Sequence, residues 1–113
     1  MIPADFPARW QAAWNAHDLP LILSHYAPGV VFRSRKAIPL TGAGEVRGRD
    51  ALAAYWGAAL AAQPDLRFEV ETVYAGHDVL VIAYRNHRGV RAAETLLFDA
   101  EGLVAEASAC HVG

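Results

Sequence analysis

Apolar residues recur at helical spacing from the start of the chain. Trp10, Ala13, Trp14 and His17 fall at i, i+3, i+4 and i+7, which puts both tryptophans on one face of a helix over 5–17. Asp5 stands where an N-cap belongs, and Pro7 suits the first turn. Pro20 can open a second, short helix carrying Leu21, Ile22 and Tyr26, which Pro28-Gly29 ends. The period then changes to two. Over 30–35, Val30, Phe32 and Ser34 share one strand face, and Val31, Arg33 and Arg35 share the other. Residues 36–48, with Pro39, Gly42, Gly44 and Gly48, read as a loop free to move. A third helix begins at Arg49-Asp50, where Asp50 suits the positive end of the helix dipole. It runs through Leu52, Tyr55, Trp56 and Leu60 and stops before Pro64.

Everything after that helix reads as strand. Leu66, Phe68 and Val70 alternate with Arg67, Glu69 and Glu71, so one face is buried and the other is wet or salt-bridged. Gly76-His77-Asp78 turns into Val79–Tyr84, apolar on both faces, which predicts a central strand covered on both sides. A turn near His87-Arg88-Gly89 leads to a strand over 90–98, and Asp99–Gly102 turns into the last one, over 103–112. The order ααβαββββ predicts an α+β layout in one domain spanning 1–113, with a mostly antiparallel, strongly bent sheet.

Composition narrows the partners. The formal net charge of -2 gives no reason to invoke nucleic acid or an anionic membrane. At 54% hydrophobic, the 113 residues carry more apolar material than a compact core needs. The excess predicts a lined cavity, a covered outer sheet face, or both. The outer face of the 79–84 strand is the expected contact of a homodimer. The single cysteine, Cys110, excludes an internal disulfide, fits a reducing cytoplasm, and reads as a small buried residue near a strand end. The opening Met1–Asp5 has neither the basic flank nor the apolar run of a signal peptide, and no stretch reaches the roughly 20 apolar residues of a membrane span.

Five short segments carry a resemblance: Trp14-Asn15-Ala16-His17-Asp18-Leu19, Tyr26-Ala27, Val31-Phe32, Gly48-Arg49-Asp50-Ala51-Leu52, and Phe98 through Val104. In this order and spacing, from about Phe6 to Val112, the chain resembles the NTF2-like superfamily, in its SnoaL-like and ketosteroid-isomerase-like branch. The resemblance implies a cone: three N-terminal helices packed on a strongly curved, mostly antiparallel sheet, enclosing one pocket. That superfamily includes isomerases, polyketide cyclases, epoxide hydrolases, dehydratases and members that only bind. Its isomerases use a helix-one tyrosine and a late-strand acid as an oxyanion hole, and a strand-one aspartate as base. This chain has Trp10, Glu94 and Ser34 at those places. An indole cannot shuttle a proton and a lone serine is a poor base, so a steroid-isomerase mechanism is not implied.

Glu94 is the leading catalytic candidate. It shares strand parity with Leu96 and Phe98, so if those face the cone, its carboxyl is desolvated and its pKa rises toward the useful range. The competing register puts it outside, paired with Arg85, Arg88 or Arg91. His111, on the last strand, would be its orienting or acid–base partner; the plainer reading is a solvated histidine near a frayed end. Trp10, Trp14, Tyr26, Phe32, Ser34, Trp56, Leu60, Phe68, Tyr84 and Leu96 are the candidate ligand-binding residues, the plainer reading being ordinary core. His17, His25, His77 and His87 read as structural, and no histidine pair has chelating spacing, so no metal or cofactor is implied. Arg33, Arg35 and Lys36 could hold an anion, or form a solvated or interface face opposite Glu69 and Glu71. The expected function is a pocket for a small, mostly apolar molecule, with isomerase, cyclase or dehydratase chemistry through Glu94. The alternative is a non-catalytic carrier, sensor or interaction module.

Overall fold

The computed structural model describes residues 1–113. Helix α1 (Phe6–Asn15) buries Phe6, Trp10, Ala13 and Trp14, a single stripe at i, i+4, i+7 and i+8. Asp5 precedes it, but its backbone is left-handed (φ 58°) and its carboxylate caps nothing. His17 lies beyond the helix end at φ 54°, its Nε2 2.8 Å from the Leu66 carbonyl. In α2 (Leu19–Leu23), Asp18 is the true cap, accepting from the Leu21 N–H at 3.1 Å.

Tyr26 is not helical. Strand β1 (Tyr26–Arg33) starts there and runs through Pro28-Gly29, which read as a break. Proline fits because pairing with the last strand is irregular between Tyr26 and Val31, so the missing N–H costs no ladder bond there. The expected loop over 36–48 also holds structure: a 3₁₀ turn (Arg35–Ala37), α3 (Ile38–Thr41) and strand β2 (Glu45–Arg47), antiparallel to β1. Pieces of three or four residues are too short to show a period. Gly48 (φ 89°, ψ 149°) then turns the chain into α4 (Arg49–Ala62), in a backbone region that glycine alone adopts readily.

The remaining strands are β3 (Phe68–Gly76), β4 (Val79–Asn86), β5 (Arg91–Phe98) and β6 (Val104–His111). The six strands, one more than expected, run in the order β2-β1-β6-β5-β4-β3, antiparallel throughout except for β1 beside β6. Register shifts in β1/β6, β3/β4 and β5/β6 add local bend, and the sheet curls around α1 and α4. A core of 24 buried residues fills the space between. The α+β class and the mostly antiparallel, curved sheet are as expected.

Strand β4 departs from expectation. It is second from the edge, with Leu80, Ile82 and Tyr84 buried and Val79, Val81 and Ala83 only half-covered on the convex face. Edge strand β3 is held by side chains of α1. Asn15 Nδ2 donates to the Phe68 carbonyl at 2.9 Å, Asn15 Oδ1 accepts from the Phe68 N–H at 2.7 Å, and Gln11 Oε1 accepts from the Val70 N–H at 2.7 Å.

Candidate functional site

The register of β5 decides where Glu94 points. It lies opposite Ile82 of β4 and Ala109 of β6, and shares the concave face with Leu96 and Phe98. Its exposure is 5%. The outer register is not found: Arg85 meets Glu69 and Glu71, Arg91 meets Glu71, and Arg88 has no carboxylate within 4.0 Å.

Tyr84 sits diagonally across from Glu94, and its hydroxyl donates to Oε1 at 3.3 Å. The carboxylate's Oε2 is buried with no protein partner. Burial pushes the Glu94 pKa from 4.5 to about 7, with the Tyr84 hydrogen bond pulling it back down. No cation offsets that burial. The Tyr84 phenol is driven well above its usual range, first by burial and then by the Glu94 charge, so it remains a proton donor.

Small residues make the space. Ala92 lies opposite Tyr84 and Ala109 opposite Glu94, and the two alanines border a cavity of about 90 Å³. Trp14, Phe32, Trp56 and Phe68 wall it, packed on one another with ring centroids 4.9 to 5.4 Å apart in the Trp14–Trp56, Phe32–Trp56 and Trp14–Phe68 pairs. Ser34 also borders it, its Oγ accepting from the Lys36 N–H at 3.2 Å, as does Tyr55, whose phenol pKa burial raises. At about 90 Å³ the cavity falls below the roughly 300 Å³ of ordinary ligand sites. The rings fill most of the cone. An open groove of about 490 Å³ adjoins the cavity and shares Ser34, Ala109 and His111 with it, so those three form the partition.

His111 is half-buried in this wall rather than solvated, and its Nδ1 has no protein partner. Desolvation, then the charges of Lys36 and Arg35, lower its pKa. His87, which read as a structural turn residue, lines the mouth. Neither ring nitrogen makes a hydrogen bond, although Asp65 Oδ1 stands 3.5 Å from its Nε2. The signal for it is strand parity: Asn86 shares the inward face with Tyr84, and His87 follows it at the hairpin end. Tyr55 and Gln63, neither a ligand-binding candidate from the sequence, also line the cavity, as does Lys36, a candidate there only for holding an anion.

Four of the expected ligand-binding residues lie outside the wall. Trp10, Tyr26, Leu60 and Leu96 are core, packed behind it. The Trp10 indole stacks on Phe68 at 5.6 Å, and neither its N–H nor the Tyr26 hydroxyl makes a well-formed hydrogen bond. Cys110 is exposed on the convex side and borders the open groove, because strand parity turns it outward between Ala109 and His111. Arg33 pairs with Glu45 and Glu106, not with Glu69 or Glu71, which lie across the sheet on β3. No three His, Cys, Asp or Glu side chains come together as metal ligands, and no helix is long and apolar enough to cross a membrane.

Comparison with known proteins places this geometry. The sequence profile of the SnoaL-like domain matches residues 8–110. Among solved structures, a SnoaL-like protein of unknown function from Burkholderia thailandensis is 41% identical, with a TM-score of 0.90, covering 96% of this chain and 92% of that one. A candidate polyketide cyclase from Sinorhizobium meliloti is 17% identical (TM-score 0.79, 96% and 95% covered), and AclR, a candidate hydroxylase from Streptomyces galilaeus, is 24% identical (TM-score 0.74, 94% and 85% covered). The last two likenesses are of fold. A search of curated proteins finds no match.

Proposed function

The chain belongs to the SnoaL-like family, and on that premise we propose that it admits a small, mostly apolar organic molecule over Glu94 and moves a proton on it without a cofactor. One observation carries this reading: Glu94 is buried in the cavity wall with Oε2 unpartnered and a pKa of about 7. At neutral pH such a carboxyl is present as both base and acid, the condition under which a positioned group contributes about 10²–10⁴ in rate. Glu94 Oε2 takes a proton from the substrate and returns it at another atom, while Tyr84 holds Oε1. His111 Nδ1 and the Trp14 indole N–H, both without protein partners and both in the cavity wall, orient the substrate oxygen. Isomerisation, cyclisation and dehydration all fit one such group, and the candidate cyclase among the related folds belongs to the same class of chemistry.

Native mass spectrometry before and after denaturation identifies what the cavity retains. In deuterated water that molecule is then converted, with deuterium appearing at carbon for an isomerisation or cyclisation and with loss of water for a dehydration, and Glu94→Gln removes the conversion. Unchanged conversion in Glu94→Gln would sink the assignment.

A carrier is the second reading, favoured by the small cavity and by the single acid within it. It predicts a retained ligand and no conversion in the wild type. We further propose that the half-covered convex face of β4 and its neighbours packs against a second copy, and that the protein works in a reducing cytoplasm. Tyr74, Val81 and Leu97 supply the apolar centre of that face.

A further inference from the structure

On the convex face, arginines meet acids. Arg33 pairs with Glu45 and Glu106, Arg47 with Glu45, Arg85 with Glu69 and Glu71, and Arg91 with Glu71. At the mouth of the cavity the pattern reverses. Lys36 lines the cavity, and neither it nor Arg35 nor Arg88 has a carboxylate within 4.0 Å.

These cations are gathered, not scattered. Desolvation and then the charges of Arg88 and Arg35 lower the Lys36 pKa, as desolvation and then Lys36 and Arg35 lower that of His111, while the three basic residues themselves stay exposed. Two of them sit on one braced turn. The turn carrying Arg35 and Lys36 is tied by the Ser34 hydroxyl, and Arg35 Nη2 donates to the His111 carbonyl at 3.4 Å. Of the acids nearby, Glu94 holds the Tyr84 hydroxyl on Oε1, and Asp65 Oδ1 stands 3.5 Å from His87 Nε2. Like charges assembled beside a low-dielectric cavity raise a positive potential that focuses on whatever enters.

We infer that this mouth receives the anionic end of the substrate: a carboxylate seated on Lys36, with Arg35, Arg88 and His111 around it, on a molecule whose apolar body enters between Trp14, Trp56 and Phe68. This deepens the proposed function and rests on its reading of the cavity as a ligand site. It narrows the substrate class from small apolar molecules to small apolar carboxylic acids.

The test titrates benzoate and benzamide, matched in shape and differing in charge, against the purified protein. Tryptophan fluorescence and amide resonances of the cavity residues report binding. The expected result is benzoate binding tighter by about tenfold, the size of one charge-assisted hydrogen bond. Lys36→Gln brings benzoate to the benzamide affinity and leaves benzamide unchanged, and Arg88→Gln narrows the gap in part. Equal affinity for the two probes in the wild type overturns the inference and leaves the cavity reading standing. So does a benzoate preference that survives Lys36→Gln combined with Arg88→Gln. If neither probe moves the Trp14 or Trp56 signals, the cavity is not a ligand site for such molecules, and the inference falls with that reading.

Discussion

The Tyr84 hydroxyl reaches one oxygen of the Glu94 carboxylate at 3.3 Å and leaves the other, equally buried, with no protein partner. A carboxyl in that position costs stability when ionised. Glu94 has a folded-state pKa of about 7 against 4.5 in the open chain, so the folded protein holds its proton more tightly. Between those values unfolding releases a proton, and stability falls as pH rises. Below 4.5 the residue is neutral in both states and the cost is absent. Above pH 7 the full cost, about 3 kcal/mol at about 1.4 kcal/mol per tenfold, is present. Glu94→Gln therefore unfolds at a higher temperature than wild type at pH 8, by about 10 °C, and at nearly the same temperature at pH 4.5. His25 and His111, whose pKa values burial lowers, work in the opposite sense and weaken the fold as pH drops below 6.5. The difference between wild type and Glu94→Gln isolates the carboxyl. A pH-independent difference in thermal midpoint would show that Glu94 is not held neutral by burial.

Tyr84→Phe removes the one protein donor to that carboxyl. Because the hydrogen bond lowers the Glu94 pKa, its loss moves the pKa further up. The carboxyl stretch in the infrared, followed against pH, reads this directly. A pKa that stays or falls in Tyr84→Phe would mean that the phenol does not donate to the carboxylate.

Asn15 is the second structural test. Its amide makes both hydrogen bonds with the Phe68 backbone, substituting for the missing neighbour of an edge strand. Asn15→Ala leaves a part-buried N–H and C=O unpaired and costs about 2 kcal/mol in urea unfolding. The pocket feels the same change, because Phe68 is in its wall. A cost within about 0.5 kcal/mol, the ordinary surface range, would show that water serves those groups as well.

The convex face supplies the oligomer test. Val81→Arg places a charge at its apolar centre, opposite Tyr74 and Thr95. Sedimentation velocity at micromolar concentration is expected to give a dimer for wild type and a monomer for the variant. A monomeric wild type would remove the proposed interface.

Much of the architecture was written in periodicity long enough to read. The run of Trp10, Ala13 and Trp14, which the structure extends back to Phe6 rather than on to His17, and the parity of Glu94, Leu96 and Phe98 each span several residues of one repeat. What escaped was short or two-sided. Helix α3 and strand β2 last four and three residues, less than one full period of either pattern. Pro28 reads as a stop that keeps Tyr26 in the helix, whereas it stands where the ladder is already broken. Strand β4 reads as central because valine and alanine cover its outer face, and local pattern cannot say what covers them. The site divides in the same way. The direction of Glu94 follows from alternation, but the volume over it depends on how Trp14, Trp56 and Phe68 tilt against one another, and ring tilt leaves no trace in spacing.

Strand β6 joins β1 in parallel, bringing together strands that enter the sheet first and last along the chain. Glu94, Ala109 and His111 therefore share a wall with Phe32 and Ser34 only after every intervening strand exists. During synthesis the growing chain can form α1, α2 and α4, but it has no cavity until the final strand has emerged and docked. Such distant pairing slows folding. It also means that a truncated product carries no half-built pocket able to sequester ligand.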